Sequence, residues 1–537
     1  MHPLLVRTAT VAAVALLPFA VGAAATSDAA ALTGRVRPAP SPALTVASDR
    51  SPYGSSCTRQ VVPPDADPVL YPNAEVEPWV AINPRNPLNV VGVWQQDRWS
   101  DGGANALRTG YSFDGGRSWR RTAPTFSHCA GGNAANGGDY ERASDPWVSF
   151  GPTGVANQIS LSFDNYTSHQ AILASRSLDG GRTWSRPATL TAVPLGKNTD
   201  FVDKESITAD PRDPHLVYAV WDRLITNAAG TATVTGNTEF TRSTDGGRTW
   251  EPVRILFDPG IGNQTIANQI VVWPHGTLYN VAARIDDTDN PAPADFSVIV
   301  SRSYDKGRTW TAPVTVSRLG TVGVVEPATG QPVRSGDVIP DIAVAPNGTL
   351  YVVWQDARFS GGTVDQIVLS SSSDGGRTWT APVLASNSGD AAAFVGSVDV
   401  TRDGTVMVTY YDFRQATPRV NALTRAWMDG FRRVGGTVTE RPLGAAFDIR
   451  TAPFARGYFL GDYQGLTDAG PFALPFFVRA RPSTANPTDV YSGHLGEIAP
   501  GLPFNLPAAT AGQTPRSAAR QAASTPDLGA LVRSHRR

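Results

Sequence analysis

Short stretches of alternating apolar and polar residues recur along most of the chain. PWVAINP (78–84), PWVSFGP (146–152), ESITADP (205–211), NQIVVWP (268–274), PDIAVAP (340–346) and SVDVTRDG (397–404) each have the period of a half-buried strand. Each runs into a turn rich in Pro, Asn, Asp and Gly, such as NPRNP, PHG, PNG or RDG. A more apolar strand follows: NVVGVWQQDR, NQISLSFDN, HLVYAVWDR, TLYNVAARIDD, TLYVVWQDAR and TVMVTYYDFR. A third strand then enters a tight turn and a fourth leaves it, as SVIVSRS and TAPVTV do in one unit. The pattern predicts an all-β chain built from repeated four-stranded antiparallel units.

The tight turn is the most regular part of each unit. It reads YSFDGGRSW, SRSLDGGRTW, TRSTDGGRTW, SRSYDKGRTW and SSSSDGGRTW, with Asp114 and Trp119, Asp179 and Trp184, Asp245 and Trp250, Asp305 and Trp310, and Asp374 and Trp379. The aspartates are 65, 66, 60 and 69 residues apart. The Asp can accept hydrogen bonds from nearby backbone N–H groups. A Gly after it supplies the positive φ that a short hairpin needs. The Trp can tuck beneath the turn. A sixth, degenerate copy is expected around Trp427, Asp429 and Gly430.

The string S-x-D-x-G-x-[ST]-W resembles the Asp box, or BNR repeat, of the sialidase (neuraminidase) superfamily. The resemblance implies a β-propeller of four-stranded blades. Six units run from 77 to about 440, and GDYQGLTDAG, ALPFFVRA and DVYSGHLG (461–496) supply three strands of a seventh. Its fourth strand is expected from CTRQVV (57–62), which would close the ring and remove open edges. Seven blades are therefore favoured. The six-bladed sialidase arrangement is the alternative, with 458–497 packed outside the ring. Trp94, Trp221 and Trp354 lie in apolar second strands and are expected in the core.

The termini differ from the repeats. Residues 1–25 carry Arg7 and an apolar run ending in small residues, as in a secretory signal, and 26–55 read as a disordered linker. The propeller is expected over 56–500, and 508–537 as a disordered basic tail. A secreted, extracellular, monomeric protein with no membrane span is expected. With 46 Lys plus Arg against 47 Asp plus Glu, and no basic cluster in the repeats, nucleic acid is not the expected partner. The two cysteines, Cys57 and Cys129, are expected to pair in an oxidising compartment.

Candidate chemistry gathers on the face away from the Asp boxes. Second strands end there in Asp97–Arg98, Asp164, Asp222–Arg223, Arg284 with Asp286, Asp356 with Arg358, and Asp412 with Arg414. First strands start there near Glu75, Glu77, Asp145, Asp203, Glu205, Asp337, Asp341 and Asp462, joined by Tyr410, Tyr411 and Tyr463. The resemblance implies a glycan-directed site, read as a sialidase-like glycoside hydrolase acting on terminal sugars. Arg98, Arg284, Arg358 and Arg414 are the expected carboxylate clamp. Asp145 is the expected acid, and Glu205 with Tyr411 the base and nucleophile. A recurring Asp–Arg pair also fits a ring of salt bridges between blades. The sialidase Phe/Tyr-Arg-Ile-Pro motif is absent, and Val338-Ile339-Pro340 lacks its Arg. A non-catalytic propeller binding glycans or proteins is the alternative, and a structural scaffold with a plugged funnel is a third. No cofactor is expected. The loop with Asp286, Asp287, Asp289 and Asp295 is a weak Ca²⁺ candidate, against a reading as a solvated loop.

Overall fold

In a computed structural model, strands pair antiparallel in groups of four. The structure describes residues 43–493 except 55–56, 59–62, 65, 194, 197–199, 228–232, 287–294, 417–422, 433–437 and 469–472. These residues belong to one compact unit, Gly34–Arg537. The expected leader at 1–25, the expected tail at 508–537, and Asp287 and Asp289 lie outside the described residues. Among the described residues the structure is all-β, with three 3-10 turns and no α-helix.

The first unit is Leu70–Ile82, Val90–Trp99, Ala104–Ser112 and Arg120–Thr122, each paired with the next. Five further units follow with first strands Arg142–Phe150, Asp200–Ala209, Gln264–Val272, Asp341–Val344 and Ala393–Val400. The seventh comprises Gly465–Asp468, Ala473–Ala480 and Thr488–Gly493, completed by Leu44–Val46 from the other end of the chain. First strands lie side by side in chain order, and the seventh lies against Leu70–Ile82 again.

The completing strand is not the expected one. Leu44, Thr45 and Val46 pair with Gly493, Ser492 and Tyr491, whereas CTRQVV, of which 59–62 lie outside the described residues, was expected to close the unit and 26–55 to hold no strand. Arg121 fixes the new strand by donating to the carbonyls of Ala47 (2.8 Å) and Ser48 (2.7 Å), and Arg108 pairs with Asp49 at 3.3 Å. Cys57 and Cys129 form a disulfide, with Cα atoms 5.0 Å apart.

Second strands are buried along nearly their whole length because both faces meet neighbouring units. Trp94, Trp221 and Trp354 are at most 1% exposed. Trp221 sits among Ile159 and Leu161 of the preceding unit. Removing such a side chain from water contributes roughly 5 kcal/mol before ordering entropy opposes it.

The five turns fasten neighbouring units with one geometry. In the fourth unit, Ser303 Oγ donates to Asp305 at 2.8 Å and accepts from Gly307 N at 2.8 Å. Asp305 also accepts from Thr309 N (2.9 Å) and Thr309 Oγ1 (2.6 Å). Trp310 then packs on Phe240 of the third unit, with ring centroids 5.4 Å apart. Trp119 packs likewise on Phe476 of the seventh. Arg242 reaches forward from the third unit to the Lys306 carbonyl at 2.6 Å. The expected sixth copy is corrected: Trp427, Asp429 and Gly430 lie within the strand Leu423–Arg432, where Trp427 donates to Asp412 and Asp429 accepts from Tyr410.

Burial raises the Asp305 carboxyl, but the hydrogen bonds from Thr309 and Ser303 prevail and hold it down to about 2. An unfolded Asp titrates near 4. A depressed carboxylate stabilises the fold above its unfolded value, and that contribution is lost as pH falls towards 2. Urea unfolding should therefore find Asp305→Asn less stable than wild type at pH 6, with the difference shrinking between about pH 4 and pH 2. Trp310→Ala should cost about 2–4 kcal/mol in the same assay.

Candidate functional site

The site is built by a β-bulge that recurs in the first strands. Pairing slips after Val76, Ser144, Asp203, Ile266 and Phe394. Within each slip stands a non-glycine residue at positive φ: Glu77 (51°), Asp145 (51°), Lys204 (49°), Ala267 (62°) and Val395 (54°). Bulges of this kind re-aim side chains, and positive φ at such residues carries strain that the surrounding structure must hold.

Three of the bulged side chains converge. Lys204 Nζ lies 3.0 Å from Glu77, 2.6 Å from Asp145 and 2.8 Å from Asp462. All four side chains are at most 6% exposed. Burial opposes the charge on Lys204, but Asp145, Asp462 and Glu77 raise its pKa well above the usual lysine value. Burial likewise opposes ionisation of Asp462, yet Arg334 and Lys204 hold it well below the carboxylate range. Burial pushes Glu77 up to about 7 despite Lys204, and Asp203 up to about 7 with Asp145 adding to it. Burial, then Asp145, lifts Glu205 well above the carboxylate range. Neither Glu205 oxygen has a hydrogen-bond partner. Tyr463 donates to the Pro146 carbonyl at 3.2 Å, and its ring lies 5.3 Å from that of Trp147.

Three guanidiniums stand beside these carboxylates. Arg334 grips Asp462 with two nitrogens, at 3.1 and 2.7 Å. Arg98 and Arg334 both lie over the Phe459 ring, 4.7 and 4.5 Å from its centroid. Arg98 donates to Gln95 at 2.6 Å. Arg456 has φ 65°, and its two terminal nitrogens are buried without a hydrogen-bond partner. Burial, then Arg334 and Arg98, pushes Arg456 down to about 9; burial, then Arg334, pushes Arg98 down to about 10.

Segments inserted between units hold Arg334 and Arg456. Pro332–Arg334 pairs with Val324–Val325 on one side and, in parallel, with Tyr458–Phe459 on the other. Gly457 is required there, because a Cβ would meet Arg334 N at 2.6 Å. Gly461 has φ 141°, and a Cβ would meet Glu77 N at 2.8 Å.

Of the residues expected from sequence, Arg98, Asp145 and Glu205 fall in this cluster. Tyr411 does not: its hydroxyl donates to the Val478 carbonyl at 2.9 Å amid Phe394 and Phe447. Arg284 pairs with Asp286 at 2.8 Å. Arg358 grips Asp356 with two nitrogens and reaches back to Ser317 of the preceding unit at 3.0 Å. Arg414 pairs with Asp412 and Glu440. These three arginines act as fasteners of strands and units. Asp295 of the acidic loop pairs with Arg318, and the described residues hold no cluster of three metal-ligating side chains. Lys204, Arg334, Arg456 and Phe459 were missed. Only Lys204 left a signal, as the basic residue at the repeat position that Glu77 and Asp145 occupy.

No family model matches the chain, and no curated protein does. Among solved structures it is similar to a protein of unknown function from Dyadobacter fermentans, at 16% identity and TM-score 0.43, over 66% of this chain and 94% of that one. It is similar to an α-L-arabinanase of Penicillium chrysogenum, at 12% identity and TM-score 0.42, over 78% and 93%. A Hadza microbial sialidase is similar at 15% identity and TM-score 0.45, over 75% and 76%. No helix among the described residues is long and apolar enough to cross a membrane.

Removing the buried ammonium leaves Glu77 and Asp145 without their cation and Asp462 with Arg334 alone. Lys204→Met should lose about 3–5 kcal/mol of stability in chemical denaturation. The raised carboxyl of Asp203 has the opposite pH sign to the turns. Its contribution is present below the unfolded value near 4 and is lost as pH rises through about 7. Asp203→Asn should therefore flatten the decline in unfolding free energy between about pH 4 and pH 7.

Proposed function

We propose that the chain is a secreted, seven-bladed propeller whose face away from the tight turns takes a carboxylate-bearing terminal sugar, and that it hydrolyses the glycosidic bond of that sugar. The observation that carries this reading is Arg456. A guanidinium with both terminal nitrogens buried and unpartnered, beside two further guanidiniums, suits an anion. The ring of adjacent first strands supports seven blades, and the disulfide suits an oxidising compartment.

In this reading Arg98, Arg334 and Arg456 hold the carboxylate. Glu205, its carboxyl raised by burial and by Asp145, gives its proton to the leaving oxygen. Tyr463 takes the nucleophile's place assigned by sequence to Tyr411, and Glu77, the first of the carboxylates acting on it, receives its proton as it attacks. Asp145 stays paired with Lys204 and orients the group. The ligand reaches the site when the cover formed by 324–334 and 454–461 moves aside, because Arg98 is only 1% exposed.

A second reading is a binding propeller without turnover. The Lys204 ammonium supports it, since Glu77, Asp145 and Asp462 are already neutralised by a resident cation.

The test is hydrolysis of fluorogenic glycosides, a sialoside and a glucuronide beside neutral sugars. Hydrolysis of an anionic glycoside is expected, falling at least about 100-fold in Arg456→Gln. Turnover of neutral sugars alone would remove the arginine clamp from the account. Binding of the anionic sugar without turnover would favour the second reading.

A further inference from the structure

Two cavities lie on the axis around which the first strands are arranged. A small one, about 30 Å³, is lined by Lys204, Glu205, Tyr463 and Gln464 on the site side. A larger one, about 310 Å³, is lined by the far ends of the first strands, Ile82, Phe150, Ala209, Val272 and Val344. That end carries the tight turns, since Gly115 N bonds to the Leu88 carbonyl and Gly246 N to that of His215. Trp79, Trp147, Gln269 and Asp341 line both cavities. The Trp79 and Trp147 rings stack 3.4 Å apart at that level.

The small cavity has largely apolar walls, Trp79, Trp147, Ile339 and Tyr463 among them, but contains polar groups that need partners. Both Glu205 oxygens and Gln464 Oε1 are buried without a hydrogen-bond partner, in residues 2% and 1% exposed. Gln464 is held in place by its amide, which donates to the Val395 carbonyl at 2.8 Å. An unsatisfied buried oxygen costs on the order of 1–3 kcal/mol. One water needs about 10–15 Å³ by this measure, so the cavity has room for about two.

We propose that the small cavity binds ordered water between Glu205 and Gln464, and that the axial channel supplies it from the turn-bearing face, opposite the arginines. The inference rests in part on the hydrolytic reading. Hydrolysis consumes one water per glycosidic bond. Its oxygen bonds to the anomeric carbon as the sugar leaves its enzyme partner, and its proton goes to the carboxylate that protonated the leaving alcohol. Substrate carboxylate and water then use different doors, and the arginine side can stay closed on the sugar while water arrives from behind. The stacked tryptophans are the narrow point of that path.

An atomic-resolution crystal structure of the purified chain tests the site directly. Water within hydrogen-bond distance of Glu205 and Gln464 is expected, continued by a file of waters past Gln269 into the wide channel. In Gln464→Met, which preserves volume, the water on that side should be lost. A dry cavity, or a file running only towards Arg456, overturns the proposal. Kinetics provide the second arm. Thr467 lies in the channel wall and is partly exposed. Thr467→Trp should lower kcat about tenfold with KM unchanged, and unchanged kcat in a folded variant overturns the supply route. If the wild type hydrolyses no glycoside, the hydrolytic reading falls, and the water positions alone decide the path.

Discussion

The arrangement depends on one buried ammonium. Lys204 meets carboxylates from the first, second and seventh units while standing in the third. The seventh unit is completed by Leu44–Val46, so this contact ties the first three units to the one that an early strand of the chain completes. A charge buried this deeply persists only with partners around it. The partners in turn need the bulges, which swing Glu77, Asp145 and Lys204 out of strand alternation and towards one point. Arg334 extends the network through Asp462 and draws the inserted segments down over it.

The network divides the molecule by the kind of force at work. Near the turn-bearing face, apolar second strands and tucked tryptophans join units by area buried, and the aspartates serve local turn geometry. Near the opposite face, charge does the joining. There burial first, and the neighbouring guanidiniums after it, lower Arg98 and Arg456, while Asp462 raises Arg334 against its burial.

How much of this could be read in the sequence follows from what repeats. Strand order, the five turns and the core tryptophans were legible because each recurs at a fixed place in its unit. That Arg98, Asp145 and Glu205 lie at one end of their units was legible for the same reason. Recurrence misled at Arg284, Arg358 and Arg414, where the carboxylate two residues earlier already satisfies the guanidinium. Tyr411 and Tyr463 look alike in sequence, but the first points into the core and the second towards the carboxylates. Arg334 and Arg456 sit in insertions outside the repeat, so no periodic signal marked them. The closing strand Leu44–Val46 was hidden by its Ala-, Pro-, Ser- and Thr-rich surroundings; its pairing is fixed by distant Arg121, which local composition does not reveal.

The central claim is that the buried arginine cluster selects a negatively charged sugar. Calorimetric titration of the purified chain with N-acetylneuraminic acid and with its uncharged methyl ester tests it most directly. The account predicts that the acid binds at least about tenfold more tightly, a difference of about 1.4 kcal/mol or more, and that Arg456→Gln removes the preference. Equal affinity for acid and ester, or a preference that survives in Arg456→Gln, would contradict it.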